Sequence, residues 1–218
     1  NPKATPYSDA STGISFPAGF HDPSGYQFGM VLPSSGSSTD MIIQLVSPLK
    51  DGGGWAGVDF GDSMTGRLLL VAWPNGKGSD SNGVTVAPRI ANGYKQADTV
   101  AYTANPVTLT TIAKGTFVNA THVSATFVCK GCMTSDSLTT SGGTQSLSYA
   151  YSLLANPNPG DVNTMISDHT TQNEPYGGFD VDLAAAQSSQ YASYAAMVSA
   201  GNGGASGTGT ATAGNQTA

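Results

Sequence analysis

Charge is scarce in this chain. Only 8 Lys and Arg and 14 Asp and Glu stand among 218 residues, a formal net charge of −6. The basic residues form no run, so nothing is available to neutralise a phosphate backbone, which excludes nucleic acid as a partner. Long apolar stretches are missing too. The longest, residues 68–73, is strand-sized, against the roughly eighteen residues a bilayer-spanning helix needs, so no membrane is implied. Two cysteines exclude a small disulfide scaffold, and the length suffices to bury a proper core without one. Glu174 is the only Glu, so an acid–base pair for glycoside hydrolysis would rest on aspartates such as Asp59, Asp62, Asp168, Asp180 and Asp182, which read mostly as turn and cap residues. Neither a G-x-S-x-G elbow nor a phosphate loop occurs.

What is abundant is turn chemistry. With 28 Gly and 12 Pro, strand-length apolar runs recur at 26–32, 41–46, 55–60, 67–73, 83–86, 107–112, 122–129 and 146–154. Between them stand hairpin and loop residues such as Asp51-Gly52-Gly53-Gly54 and Pro74-Asn75-Gly76. About eight or more short strands predict an all-β fold, an antiparallel immunoglobulin-like β-sandwich. Residues 121–128 and 148–153 alternate and should be half-buried, whereas the run Leu68-Leu69-Leu70-Val71 should be central and covered on both faces.

One short C-terminal helix is expected within 183–200, capped by Asp182, with Tyr191, Tyr194, Ala195 and Val198 at helical spacing against the sandwich. Residues 201–218 hold only small and polar residues. They cannot offset their ordering entropy and read as a flexible linker, which implies a further domain. The expected organisation is a domain over 1–200 and a linker over 201–218. The start Asn1-Pro2-Lys3 fits a mature chain whose leader was removed, and the sequons at Asn119 and Asn215 fit secretion and glycosylation.

Cys129-Lys130-Gly131-Cys132 could be a disulfide, a redox dithiol, half a zinc site or a haem attachment site. Zinc lacks ligands at the usual spacing, covalent haem lacks a His after the second Cys, and a redox motif should open a helix. The secretion signals favour a structural disulfide at a strand end. Of three histidines, His21 and His122 read as solvated or capping, while His169 sits in a long polar loop placed between the last strand and the helix. Met64, on the turn Gly61-Asp62-Ser63-Met64-Thr65-Gly66, is poorly placed to fill a core. A thioether and an imidazole brought together would suit haem iron or copper. Two other classes stand beside this reading: a glycoside hydrolase, and a carbohydrate-binding module stacking sugars on Trp55, Trp73 or tyrosines, with Trp73 better read as core.

The order Gly57-Val58-Asp59-Phe60-Gly61-Asp62-Ser63-Met64, Leu68-Leu69-Leu70-Val71-Ala72-Trp73, Ala91-Asn92-Gly93-Tyr94, Asn119-Ala120-Thr121-His122, Phe127-Val128-Cys129-Lys130-Gly131-Cys132 and Ser167-Asp168-His169 resembles the haem b cytochrome domain of fungal cellobiose dehydrogenases and related extracellular sugar dehydrogenases. The resemblance implies a two-sheet sandwich with noncovalent haem b, Met64 and His169 as axial iron ligands, and Tyr94 near the propionates. Arg89 joins Tyr94 as a candidate from its charge alone. The cysteines match a family disulfide. The resemblance further implies a flavin- or quinone-dependent dehydrogenase domain after the linker, secretion, and a copper polysaccharide monooxygenase as a possible electron acceptor. Asp62 stands where that family often carries a small neutral residue, and a carboxylate close to the haem would favour ferric iron.

Overall fold

The computed structural model describes residues 1–34, 38–77, 80–95, 99–134, 137–138, 143–169 and 175–200. Two predominantly antiparallel sheets form a sandwich, confirming the fold class. The first contains β1 (Thr5–Ser8), β2 (Ser15–His21), β3 (Gln27–Pro33), β4 (Met41–Pro48), β9 (Thr108–Thr111), β10 (Phe117–Val118), β11 (His122–Lys130) and β14 (Gln187–Ser188). Its strands run in the order β1-β2-β3-β4-β11-β10, with β14 added in parallel to β3 and β9 to β11. The second is ordered β13 (Tyr176–Asp182), β12 (Thr144–Ser152), β5 (Trp55–Asp59), β6 (Leu69–Pro74), β7 (Val84–Ala91) and β8 (Thr99–Ala101).

Two-residue alternation decides which side chains meet between the sheets. On β4, Met41, Ile43 and Leu45 enter the central core, and on β11 Val123, Ala125, Phe127 and Cys129 do so; Ile42 and Val128 turn to the opposite face. From the second sheet come Ala56, Val58, Leu70 and Ala72. An aromatic stack fills the middle, with Phe20 and Phe179 at 4.5 Å between centroids and Tyr26 and Tyr149 at 4.7 Å. The buried Tyr26 hydroxyl donates to the Gly57 carbonyl at 3.0 Å, so its polar tip is satisfied inside the core. Each fully buried aromatic or aliphatic side chain here is worth about 1.5–3 kcal/mol. Cys129 and Cys132 form a disulfide, Cα to Cα 5.7 Å, at the end of β11.

Three expectations require correction. Asp182 does not open a helix: its Oδ1 accepts from the amides of Ala184 and Ala185 in a turn, β14 follows, and α1 (Tyr191–Ala195) starts later with a 3-10 turn (Ala196–Ala200) behind it. The alanine-rich stretch had helix propensity, but the C-terminal end of β3, at Leu32 and Pro33, offered backbone pairing to Gln187 and Ser188 and won. Leu69 is only half-buried, so the leucine run is not covered on both faces. Finally, β13 lies between the His169 segment and α1, so that long loop joins two strands. Among the described residues no helix is long and apolar enough to cross a membrane. The expected linker 201–218, with Asn215, lies outside the described residues, as does Glu174.

Candidate functional site

Of the sequence's candidates, Arg89 stands on the outer face of the second sheet and His169 lies against Trp55 there. On that face, register sets three rows. Ser148, Asp59, Leu69 and Arg89 form one; Tyr176, Ala150, Gly57, Val71 and Ala87 form the next; Ser152 and Trp55 begin the third. Trp55, Val71, Trp73, Ala87 and Ile166 pack together there, with Leu69 and Ala150 against them.

The residues 60–68, carrying Met64, join β5 to β6 beyond the Asp59 row. The Phe60 amide donates to the Leu68 carbonyl at 3.2 Å, Ser148 Oγ to the Gly61 carbonyl at 2.8 Å, and the Gly66 amide to the Ala91 carbonyl at 2.9 Å. The loop is therefore fastened to β12 on one flank and to the end of β7 on the other. Gly66, at φ 79°, supplies a left-handed turn that a side chain would strain. Met64 is half-buried and Asp62 exposed. Tyr94, just past β7, is 78% exposed.

A strap of residues 155–168 delivers His169 from the other direction, and the sheet holds it by side-chain donors. Trp55 Nε1 donates to the Ser167 carbonyl and Trp73 Nε1 to the Pro159 carbonyl, each at 2.9 Å. Ser152 Oγ donates to the Asp168 carbonyl at 2.8 Å. Within the strap the Ser167 amide donates to Asn156 Oδ1 at 2.9 Å and Ser167 Oγ to the Ala155 carbonyl at 2.7 Å. Arg89, 2% exposed, sends Nη2 to the carbonyls of Val162 and Thr164, both at 2.7 Å, and lies 5.8 Å from the Trp73 ring centroid. These contacts make Arg89 a clamp on the strap. Burial lowers its pKa, Asp161 nearby opposing that. His169 is half-buried, with edge contacts to Trp55 at 6.0 Å and to Tyr176 at 5.4 Å between centroids.

Between the Met64 end and the His169 end of β5, about 13 Å of strand, the floor is Gly57, Leu69 and Ala150. Leu69 and Ala150 sit in the middle of a sheet yet are half-exposed, and the neighbouring Met165 and Tyr176 are 44% and 67% exposed. A Cβ at Gly57 would stand 3.1 Å from the Trp55 ring and 3.4 Å from Leu69, so any side chain there would lift this floor. Partly uncovered apolar side chains between a loop that carries a thioether and a strap that carries an imidazole suit an iron porphyrin: a flat apolar ring asks for uncovered apolar surface, and a low-spin iron for soft and imidazole donors.

Trp55 and Trp73 are 4% and 0% exposed, which removes them as sugar-stacking platforms. His21 and His122 both stand on strands of the first sheet. His21 makes an edge contact with Tyr7, and the half-buried His122 meets Thr121 Oγ1 at 2.9 Å. Asn119 is exposed, its Oδ1 accepting from the amides of Thr121 and His122.

Asp59 is the residue that sequence reasoning misplaced. Read as a turn aspartate, it is the last residue of β5, 2% exposed. Neither carboxylate oxygen takes a hydrogen bond of standard geometry. Burial pushes its pKa up to about 7; Arg67 and the Gly61 amide pull it down and Asp62 adds to the rise. Its parity with Trp55 and Gly57 in the strand was the signal that could have found it.

The architecture is a two-sheet antiparallel sandwich with a strap fastened across the outer face of its second sheet. The sequence profile described as the cytochrome domain of cellobiose dehydrogenase matches residues 7–193, and the chain belongs to that family. Among solved structures, the chain is similar to the cytochrome domain of Myriococcum thermophilum cellobiose dehydrogenase, with 26% identity, TM-score 0.73, and coverage of 91% of this chain and 97% of that one. The fold is also that of the cytochrome b domain of pyranose dehydrogenase from Coprinopsis cinerea, at 20% identity and TM-score 0.73, covering 90% of this chain and 96% of that one. Family membership gives the domain an electron-transfer cytochrome role and implies a haem cofactor and a dehydrogenase partner domain.

Proposed function

We propose that residues 1–200 bind haem b noncovalently, with the Met64 thioether and the His169 imidazole as axial ligands, and pass single electrons from a dehydrogenase domain to an external acceptor. The observation that carries this is the open floor of Leu69 and Ala150 between the loop bearing Met64 and the strap bearing His169. When bound, the haem supplies reversible one-electron exchange at an iron whose two axial positions are filled, thioether ligation raising its potential.

The chain's own part is orientation. Trp55 and Tyr176 confine the imidazole between two ring edges, while the Ser152 and Trp55 donors fix the backbone on its N-terminal side. Tyr94, exposed past β7, would meet a propionate, and Arg89 holds the strap. The linker 201–218 would lead to a flavin- or quinone-dependent dehydrogenase domain and keep donor and haem at high effective concentration. A secreted copper polysaccharide monooxygenase is the acceptor this reading favours, and exposed Asn119, with Asn215, would carry glycan.

The absorption spectrum tests the reading. Purified protein is expected to show a Soret band and visible bands that sharpen on dithionite reduction. Colourless protein that takes up no added hemin would overturn it, and retention of such protein on a polysaccharide column would favour a carbohydrate-binding module.

A further inference from the structure

Across the second sheet's outer face two buried charged side chains flank Leu69, one on each neighbouring strand: Asp59 on β5 and Arg89 on β7. Arg89 has carbonyls to hold. Neither Asp59 oxygen has a hydrogen bond of standard geometry; the Gly61 amide and the Arg67 charge give it only partial support. Burying an unsatisfied carboxylate costs several kcal/mol unless the group is neutral or faces a compensating charge. Among the described residues the charged groups acting on it are Arg67 and Asp62 from the loop that follows it, with Arg89 across Leu69 in the sheet; farther off, His169 lies against Trp55 and Tyr176, and Asp161 acts on Arg89. On β6 and β12 its direct neighbours are Leu69 and Ser148, which do not titrate.

We propose that Asp59 is the proton-coupled residue of the redox centre, anionic beside ferric iron and protonated when the iron is reduced. This rests on the haem reading above. In the step, one electron from a reduced flavin, a quinol or a chemical reductant enters the iron, and one proton from water adds to an Asp59 carboxylate oxygen; no other bond forms or breaks. The carboxylate thus lowers the midpoint potential at high pH and leaves it unaffected at low pH, where it is neutral in both oxidation states. Burial, which holds its pKa near neutrality, places this change within the working range of an extracellular protein.

The test is spectroelectrochemical titration of wild-type and Asp59→Asn holoprotein across acid to alkaline pH. The two potentials are expected to coincide in acid and to separate progressively through neutrality, Asp59→Asn lying higher. A pH-independent gap would show a merely structural effect and overturn the proposal, as would no gap, or transfer of the pH-dependent gap to Asp62→Asn. Redox difference infrared spectroscopy on the wild type gives a second readout: a protonated-carboxyl band should appear on reduction, and its absence overturns the proposal even where the variant fails to fold. Pigment-free protein would sink the haem reading and this one together, whereas pigmented protein without the band sinks only the role of Asp59.

Discussion

The two outer faces of the sandwich bury polar side chains in opposite ways. On the first sheet, Tyr7 Oη donates to Gln44 Oε1 at 2.7 Å, Gln27 Nε2 to the same oxygen at 3.2 Å, Gln44 Nε2 to Thr126 Oγ1 at 2.8 Å, and Thr126 Oγ1 to the Gly115 carbonyl at 3.0 Å. Beside this chain, Tyr191, Tyr194, Met197 and Val198 lie on Ile14, Phe16, Val31, Ile42, Ile112 and Val128. Among the described residues of that cover the Tyr191 hydroxyl is buried without a hydrogen-bond partner, and its pKa is raised by burial. On the second sheet the cover is a strap held by point contacts, a central leucine is only partly buried, and a carboxylate is buried without a hydrogen bond of standard geometry. A face whose polar groups are paired and whose apolar groups are covered is finished by folding; a face with both left open is shaped for something folding does not supply.

The largest effect should come from removing either donor at the open face. Met64→Ala and His169→Ala are expected to fold with wild-type circular dichroism and to lose the low-spin absorption spectrum. The sealed face provides the contrast, since Ile42→Val removes one methylene from its cover and should leave every absorption band in place. Equal spectra for Met64→Ala and wild type would break the assignment of the sulfur.

Arg89→Met comes next. Methionine matches much of the arginine stem, so packing on Trp73 is kept while the carbonyls of Val162 and Thr164 lose their donor. Leaving buried acceptors unsatisfied costs about 1–3 kcal/mol each, and the chain's size converts a net loss of about 3 kcal/mol into a melting temperature about 6–12 °C lower. Because the strap ends at His169, the visible bands should broaden as well. A variant as stable as wild type would show that the strap is held by the two tryptophan donors alone.

How much of this was legible in the sequence divides along the same line. Residues 148–153 alternate against the shared core as read, whereas 121–128, expected to be half-buried, belong to a strand buried on both faces from Val123 to Cys129; the strands, the two sheets and the short helix could still be read from pattern. Met64 and His169 were singled out because a thioether on a glycine-rich turn and an imidazole in a long loop have no core to serve. Helix onset was misread because edge pairing of Gln187 with β3 is a long-range contact with no local signature. Asp59 was misread for a related reason. Turn residues follow it, and only its parity with the buried Trp55 and Gly57 separates a buried carboxylate from a turn cap.

The smallest effect tests whether the two faces are independent. Tyr194 is half-buried on the sealed face, and its hydroxyl accepts only a long bond from the Ser15 amide at 3.4 Å. Tyr194→Ala should therefore cost mainly the apolar area of half a ring, about 1–1.5 kcal/mol in denaturant unfolding. The strands carrying that face pack through the central core onto the strands carrying Asp59 and Leu69. A close-packed interior transmits displacements, but a lost surface ring leaves the core's own side chains in place. The midpoint potential and its pH dependence should thus match wild type, and a shifted potential would mean that the aromatic stack between the sheets couples the sealed face to the open one.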